Sequence, residues 1–155
     1  MRKTLALYFS IAVVASLLAT TGSDMFARMT IGGQSFGPAL SQHFYWAGVQ
    51  FVGTLLLLLP FGFMAAIGSW IEDNANRWKA LLIFGLPTLY LMYAYFEGYQ
   101  ASKVAELDKR WTAATLDVGF LPFGAVPVVL MALLIGYVAV RAQRKVRDSR
   151  AVEKG

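Results

Sequence analysis

The sequence predicts an all-α integral membrane protein with four membrane-spanning helices. Of its 155 residues, 57% are hydrophobic and 15% are charged, against about 25% charged in soluble domains. A soluble domain of this size has too much surface for its volume to hide so many apolar side chains. Four long apolar segments are the second observation, and an uneven distribution of Lys and Arg between their links is the third.

The four segments cover about residues 4–20, 44–70, 78–96 and 118–140. Each approaches the roughly 20 residues that a helix needs to cross a hydrocarbon core about 30 Å thick, and the second is long enough to tilt or kink. The first also resembles a secretory signal peptide, since MRK precedes its apolar run and LLATTGS ends it. Because that run slightly exceeds the usual 7–15 residues, we expect a retained helix, with cleavage as the alternative.

The basic residues predict the orientation. Ten lie on the side that holds both termini and the link between the second and third segments, and four lie on the opposite side. The positive-inside rule therefore predicts that both termini are cytoplasmic and that residues 21–43 and 97–117 are external. Short links and the absence of an N-x-S/T sequon favour a bacterial inner membrane.

The basic tail, residues 141–155, is predicted to lie near anionic lipid headgroups, at about 1 kcal/mol per basic residue close to the surface. The side chains expected at the headgroups are Arg141, Arg144, Lys145 and Arg147. In a multi-pass protein this charge is explained by orientation, so we do not expect nucleic acid as a partner.

The external segments hold the candidate partner-binding residues. Val104, Leu107 and Trp111 recur at helical spacing, which predicts a short amphipathic helix along the outer interface. The segment 21–43 has turn signals at Gly-Gly and Gly-Pro, yet too many apolar residues for a solvated loop, including Phe26 and Phe36. We expect it to pack against the bundle or the bilayer. The amphipathic helix either covers helix ends or docks a partner.

Little in the sequence indicates catalysis. The chain has no cysteine and one histidine, which excludes disulfides, thiolate chemistry and any two-histidine metal site within one chain. His43 could converge with the external carboxylates of Asp24, Glu97 and Asp117, but no spacing enforces this, and we predict no metal or cofactor.

The spans offer few polar groups. Their interiors hold no charged residue, which disfavours ion-coupled transport because pathways usually retain a costly ionisable group. Gln50 is a polar candidate within the second span. Pro60, Pro87 and Pro127 fall near the middle of their spans, where they predict either kinks set by packing or broken helices around a midplane site.

The sequence therefore predicts a non-catalytic membrane protein that serves as an accessory or binding subunit of a membrane complex, or that presents its external cap to a partner. The first alternative is a small homo-oligomeric carrier or pore for a neutral or lipidic substrate. The second is a membrane enzyme with an external site around His43.

Overall fold

The computed structural model describes residues 2–152, which are helical nearly throughout. The elements are α1 (Arg2–Leu17), a π-helix (Leu18–Gly22), α2 (Ser23–Thr30), α3 (Phe36–Val49), α4 (Phe51–Asn74), α5 (Arg77–Leu107), α6 (Trp111–Gly119) and α7 (Leu121–Val152). Four stretches are long and apolar enough to cross a membrane: Lys3–Thr30, Phe51–Asn74, Arg77–Leu107 and Trp111–Arg147. The prediction of an all-helical chain with four candidate spans is confirmed.

The core lies between α1, α4, α5 and α7, with α4 in contact with the other three helices. Tyr8 of α1 and Phe84 of α5 meet edge to face with ring centroids 5.0 Å apart, and Phe61 of α4 meets Tyr95 of α5 at 5.4 Å. All four side chains are buried. Such edge-to-face pairs add a directional attraction to the packing, so the aromatic residues fix how α1 and α4 sit against α5.

Small residues allow the helices to approach closely, as interfaces between membrane helices require. A Cβ atom on Gly68 would lie 2.8 Å from the ring of Tyr8, and one on Gly136 would lie 2.6 Å from Cδ1 of Ile71. The inward face of the first span is also small and buried, at Ala12, Ala15, Ser16 and Ala19.

Both described ends of the chain and the α4–α5 link lie at one end of the bundle, here called the terminal end. The Tyr8 hydroxyl donates to Glu72 at 2.7 Å. Between α5 and α7, Lys79 Nζ donates to Gln143 at 3.0 Å. These bonds close the terminal end between α1, α4, α5 and α7. Residues 153–155 of the basic tail lie outside the described residues.

The three mid-span prolines do not break their helices, because α4, α5 and α7 continue through Pro60, Pro87 and Pro127. Pro60 is buried, and the Tyr95 hydroxyl donates at 2.9 Å to the carbonyl oxygen of Leu57, three residues before it. The carbonyl that Pro60 leaves without a backbone donor is that of Leu56, four residues earlier, so the Tyr95 bond ties α5 to α4 beside the proline rather than replacing the lost bond.

The break in the second predicted span lies instead at Gln50, whose φ and ψ are −105° and 40°. Residues 44–49 therefore belong to α3, and the spanning helix begins at Phe51. The Thr54 hydroxyl lies 3.2 Å from the carbonyl oxygens of both Ala47 and Gln50. The Gln50 carbonyl also accepts the Thr54 backbone N–H at 2.9 Å, so Thr54 joins the last turn of α3 to the first turn of α4.

The other end of the bundle, here called the capped end, is more helical than the sequence predicts. The first helix continues through the π-helix and α2 to Thr30, so only residues 31–35 of the segment 21–43 form a loop. Gly33 takes a positive φ of 64° in that loop, a conformation that glycine adopts at no steric cost. The turn signal at Gly32 and Gly33 is correct. The signal at Gly37 and Pro38 is wrong, because both residues lie in the first turn of α3, where a proline removes no helical hydrogen bond.

The prediction of a single amphipathic helix across Val104, Leu107 and Trp111 is wrong. Helix α5 ends at Leu107 and α6 begins at Trp111. Lys109 has a φ of 60°, its N–H donates to Glu106 O, and the Arg110 N–H donates to Ala105 O at 2.8 Å. These are the two bonds of a Schellman motif, which ends α5 where the spacing of apolar residues would have continued it.

Candidate functional site

A cluster of hydrogen-bonded side chains lies at the capped end between α2 and α3. His43 Nδ1 lies 2.8 Å from Asp24 Oδ2, and His43 Nε2 lies 3.0 Å from the Thr21 hydroxyl. A carboxylate only accepts hydrogen bonds, so Nδ1 donates to Asp24. In the neutral ring, Nε2 then accepts from Thr21.

An arginine completes this cluster. Arg28 Nε donates to Asp24 Oδ2 at 2.8 Å, and Arg28 Nη1 donates to Gln42 Oε1 at 2.9 Å. The side chains of Asp24, Arg28 and His43 are only 14%, 12% and 11% exposed. Because Arg28 is always protonated, it compensates the charge that Asp24 carries into this sheltered position. We call Thr21, Asp24, Arg28, Gln42 and His43 the polar cluster.

Local geometry explains how the polar cluster forms. Asp24 and Arg28 are four residues apart on α2, so their side chains share one helical face. Thr21 lies one turn earlier, in the π-helix. The loop at residues 31–35 then reverses the chain and brings α3 back against α2, and Gln34 Nε2 also donates to Gln42 Oε1 at 3.0 Å. The polar cluster therefore joins α2, the loop and α3.

The order of partners in the polar cluster has chemical meaning. A carboxylate that orients an imidazole, which in turn contacts a hydroxyl, is the arrangement that activates nucleophiles in acyl transfer. The same bonds also have a structural role, because they hold α3 against α2 and Asp24 Oδ2 accepts from Arg28 as well as from His43. No group of three or more His, Cys, Asp or Glu residues that could hold a metal ion occurs within residues 2–152.

Of the four residues in the predicted polar site, the structure brings together Asp24 and His43. Glu97 is exposed on α5, with no hydrogen bond or ion pair to another described side chain. Asp117, on α6, lines an open groove of about 410 Å³ between α5, α6 and α7. Residues that shape this α5–α7 groove are Tyr90, Ala94, Tyr95, Asp117, Phe120 and Gly124.

The candidate partner-binding residues lie on the outside of the capped end. Phe36, Leu107 and Trp111 are 61%, 56% and 63% exposed, and Phe26 and Val104 are also exposed. Phe26 contacts Phe96 with ring centroids 5.4 Å apart. We call these five exposed residues the apolar rim.

A lysine lies beneath the apolar rim. Lys103 is buried, with its Nζ 2.9 Å from Glu106 Oε2. Its Cε lies 2.7 Å from where a Cβ of Gly32 would be, so the absence of a side chain there makes room for it. The roles of Lys103, Thr21 and Arg28 are not among those predicted from the sequence. The Asp24–Arg28 and Lys103–Glu106 pairs do have a sequence signal, their i,i+4 and i,i+3 spacings, whereas no spacing singles out Thr21.

At the terminal end, Arg141 and Arg144 line a pocket of about 350 Å³ with Tyr137 and Val140. Arg144 Nη2 also donates to Asn74 Oδ1 at 3.2 Å. Lys145 and Arg147 are exposed. Contact of these basic side chains with lipid headgroups stays a prediction.

Comparisons of the chain with protein-family models, with curated proteins and with solved structures find no match. The geometry described above is therefore the basis for a functional proposal.

Proposed function

We propose that this chain is a non-catalytic, multi-pass membrane protein that acts as an accessory or binding subunit and presents its capped end to a partner. The observation that supports this proposal is the distribution of side chains at that end. Charged groups of the polar cluster and Lys103 lie inside, while the apolar rim lies outside.

That distribution is unfavourable for a surface that faces only water. Burying one large apolar side chain stabilises an assembly by about 1.5–3 kcal/mol, and exposed apolar patches of this kind mark sites of interaction with proteins or membranes. The turn at 108–110 keeps its charges in solvent, since Asp108 and Arg110 are 57% and 60% exposed. A partner that covers the apolar rim would leave this turn at the margin of the interface.

The polar cluster would give such a partner a rigid surface. It ties α3 to α2, and the Ser102 hydroxyl ties α5 to α6 by donating to the carbonyl oxygen of Ala114 at 2.8 Å. A rim that is already fixed in position loses less conformational entropy on binding. The proposed orientation has both termini in the cytoplasm of a bacterium and the capped end outside, in keeping with the positive-inside rule.

The test is gentle solubilisation of the protein from its native membrane, followed by native electrophoresis and mass spectrometry of the band. We expect a stoichiometric complex with a larger membrane protein, and we expect Trp111→Ala to release it. The matched control is Phe63→Ala, since Phe63 is also an exposed aromatic residue, at 57%, but lies within α4. Migration as a lone chain or a small homo-oligomer would contradict the proposal.

A second candidate function, a membrane enzyme, is supported by one observation, the sequence of contacts Asp24–His43–Thr21. In such an enzyme the Thr21 oxygen attacks an ester carbonyl and forms an acyl-threonine. His43 passes the threonine proton to the leaving alcohol, and water then hydrolyses the acyl group.

A fluorophosphonate probe followed by peptide mass spectrometry tests this candidate. Labelling of Thr21 that is lost in His43→Ala would support it. Absence of label on Thr21 in the folded protein would contradict the enzyme candidate. Thr20 serves as an internal control, because its hydroxyl donates to the Ser16 carbonyl oxygen and has no contact with the histidine.

A further inference from the structure

The α5–α7 groove is separate from the polar cluster and from the apolar rim. Small residues keep it open, with Ala94 on α5 and Gly124 on α7, while Tyr90 and Phe120 stand exposed at its sides. Its volume of about 410 Å³ falls in the range of about 300–1,000 Å³ of small-molecule sites. The groove is therefore large enough for a compact organic molecule.

One carboxylate faces this otherwise apolar space. Asp117 is half-buried and lines the groove, and it forms no hydrogen bond or ion pair with any other residue within the described part of the chain. Asp24, Glu72 and Glu106, by contrast, each have a partner at 2.7–2.9 Å. A carboxylate that is partly removed from water without a partner is costly, so a positive charge beside Asp117 would be favoured.

We propose that the α5–α7 groove binds one amphiphilic organic cation, with its apolar body between α5 and α7 and its positive centre at Asp117. The apolar walls favour the body, and pairing with Asp117 offsets the cost of that charge. The faces of Tyr90 and Phe120 add a cation–π attraction where the positive centre lies within about 6 Å of a ring. The same carboxylate repels an anion of equal shape.

The chemistry of the groove favours a free cation over a zwitterionic phospholipid. A phospholipid ammonium carries a phosphate group beside it, and that phosphate would need a basic partner. None of the described residues that line the groove is Lys, Arg or His. The occupant therefore carries positive charge alone.

The experiment uses the full-length protein in phosphatidylcholine nanodiscs and two probes of nearly equal shape, tetraphenylphosphonium and tetraphenylborate. Binding is measured by equilibrium dialysis, with partition into empty nanodiscs subtracted. We expect saturable binding of one tetraphenylphosphonium per chain and no saturable binding of tetraphenylborate. Equal binding of both ions, or binding of neither, would overturn the proposal.

Two variants assign the site. Asp117→Asn keeps the shape of the side chain and should weaken tetraphenylphosphonium binding at least tenfold, equivalent to about 1.4 kcal/mol. The matched control is Asp108→Asn, which removes a carboxylate that is 57% exposed and leaves the groove unchanged. If both variants bind like the wild type, Asp117 is not the site.

A third variant and a change of lipid complete the test. Gly124→Leu fills the groove without changing charge and should abolish binding, while circular dichroism and thermal unfolding report whether the bundle remains folded. If Gly124→Leu is folded and still binds, the cation lies elsewhere and the proposal fails. If tetraphenylphosphonium no longer binds when the protein is in phosphatidylethanolamine nanodiscs, the lipid ammonium occupies the groove. The assignment to a free cation is then overturned.

Discussion

At the scale of single residues, His43 connects α3 to the first helical stretch of the chain through both of its ring nitrogens. Each of its ring nitrogens contacts a different partner, and both partners lie on the chain before the loop at 31–35. Removing a side chain from such a network strands the groups that remain, and a stranded buried charge costs more than the lost bond itself contributes.

Asp24→Ala should lower the free energy of unfolding by about 3 kcal/mol, because it leaves the guanidinium of Arg28 without its carboxylate. Combined with His43→Ala, the double-mutant cycle should show a coupling of about 1–3 kcal/mol. Denaturant unfolding in detergent, followed by circular dichroism, measures both values. Asp108→Ala is the control and should change stability by less than about 1 kcal/mol, since its pair with Arg110 is exposed. If the two changes in unfolding free energy are additive, the contact between Asp24 and His43 contributes nothing to stability.

The ion pair of buried Lys103 with Glu106, whose side chain is 40% exposed, should respond asymmetrically. Glu106→Gln leaves the buried ammonium without its anion and should destabilise the protein by about 1 kcal/mol, because solvent at Glu106 already weakens the pair. Lys103→Met retains much of the packing volume without a charge and should be neutral or stabilising, as replacement of buried charges often is. Thermal unfolding of the two variants provides the comparison. Equal losses in both would contradict this account.

At the scale of elements, the helix ends at the capped end of the bundle differ most from the sequence prediction. Lys109 takes the left-handed conformation that ends α5, although non-glycine residues lose about 1–2 kcal/mol there. Lys109→Gly should therefore raise the unfolding temperature, with a gain of up to about 1 kcal/mol. Asp108→Gly is the control, because Asp108 has a φ of −75° and gains nothing from glycine. A lower unfolding temperature for Lys109→Gly would contradict the role of its backbone conformation.

The hydroxyl of Tyr95 provides a test of how α5 is held against α4 beside Pro60. Tyr95→Phe removes the donor to the Leu57 carbonyl and should cost about 1 kcal/mol, while the edge-to-face contact with Phe61 remains. Tyr93→Phe is the matched control, since Tyr93 is exposed on the same helix. Unfolding in detergent should separate the two variants, and equal stabilities would mean that the bond contributes nothing.

The spans could be predicted from sequence because each depends on a local property, a run of apolar residues. The cap could not, because its features depend on contacts between distant residues. The spacing of Val104, Leu107 and Trp111 is compatible with one helix, and only the backbone of Lys109 shows that there are two. The contact of Asp24 with His43 similarly requires the chain reversal before α3, which a Gly-Gly signal locates without giving its direction.

At the scale of the whole molecule, the orientation is open to a direct test, because the chain contains no cysteine and any introduced thiol is unique. Ser35 and Ala142 are exposed at opposite ends of the bundle. With both termini in the cytoplasm, a membrane-impermeant maleimide should label Ser35→Cys in intact cells, and Ala142→Cys only after permeabilisation. The reverse pattern would invert the proposed topology and place the apolar rim in the cytoplasm.

The continuous first helix also has a consequence for the membrane around the protein. Lys3 and Asp24 lie about 30 Å apart along one rod at about 1.5 Å per residue, and about 30 Å is the thickness of a bilayer's hydrocarbon layer. Between them the chain has no charge. The length of this helix is fixed, so a thinner bilayer must either tilt the helix or thicken locally around it, at a cost of fractions of a kcal/mol per Å. In a bilayer, this fixed distance between Lys3 and the polar cluster would set the depth at which the bundle rests and the membrane thickness that it fits without strain.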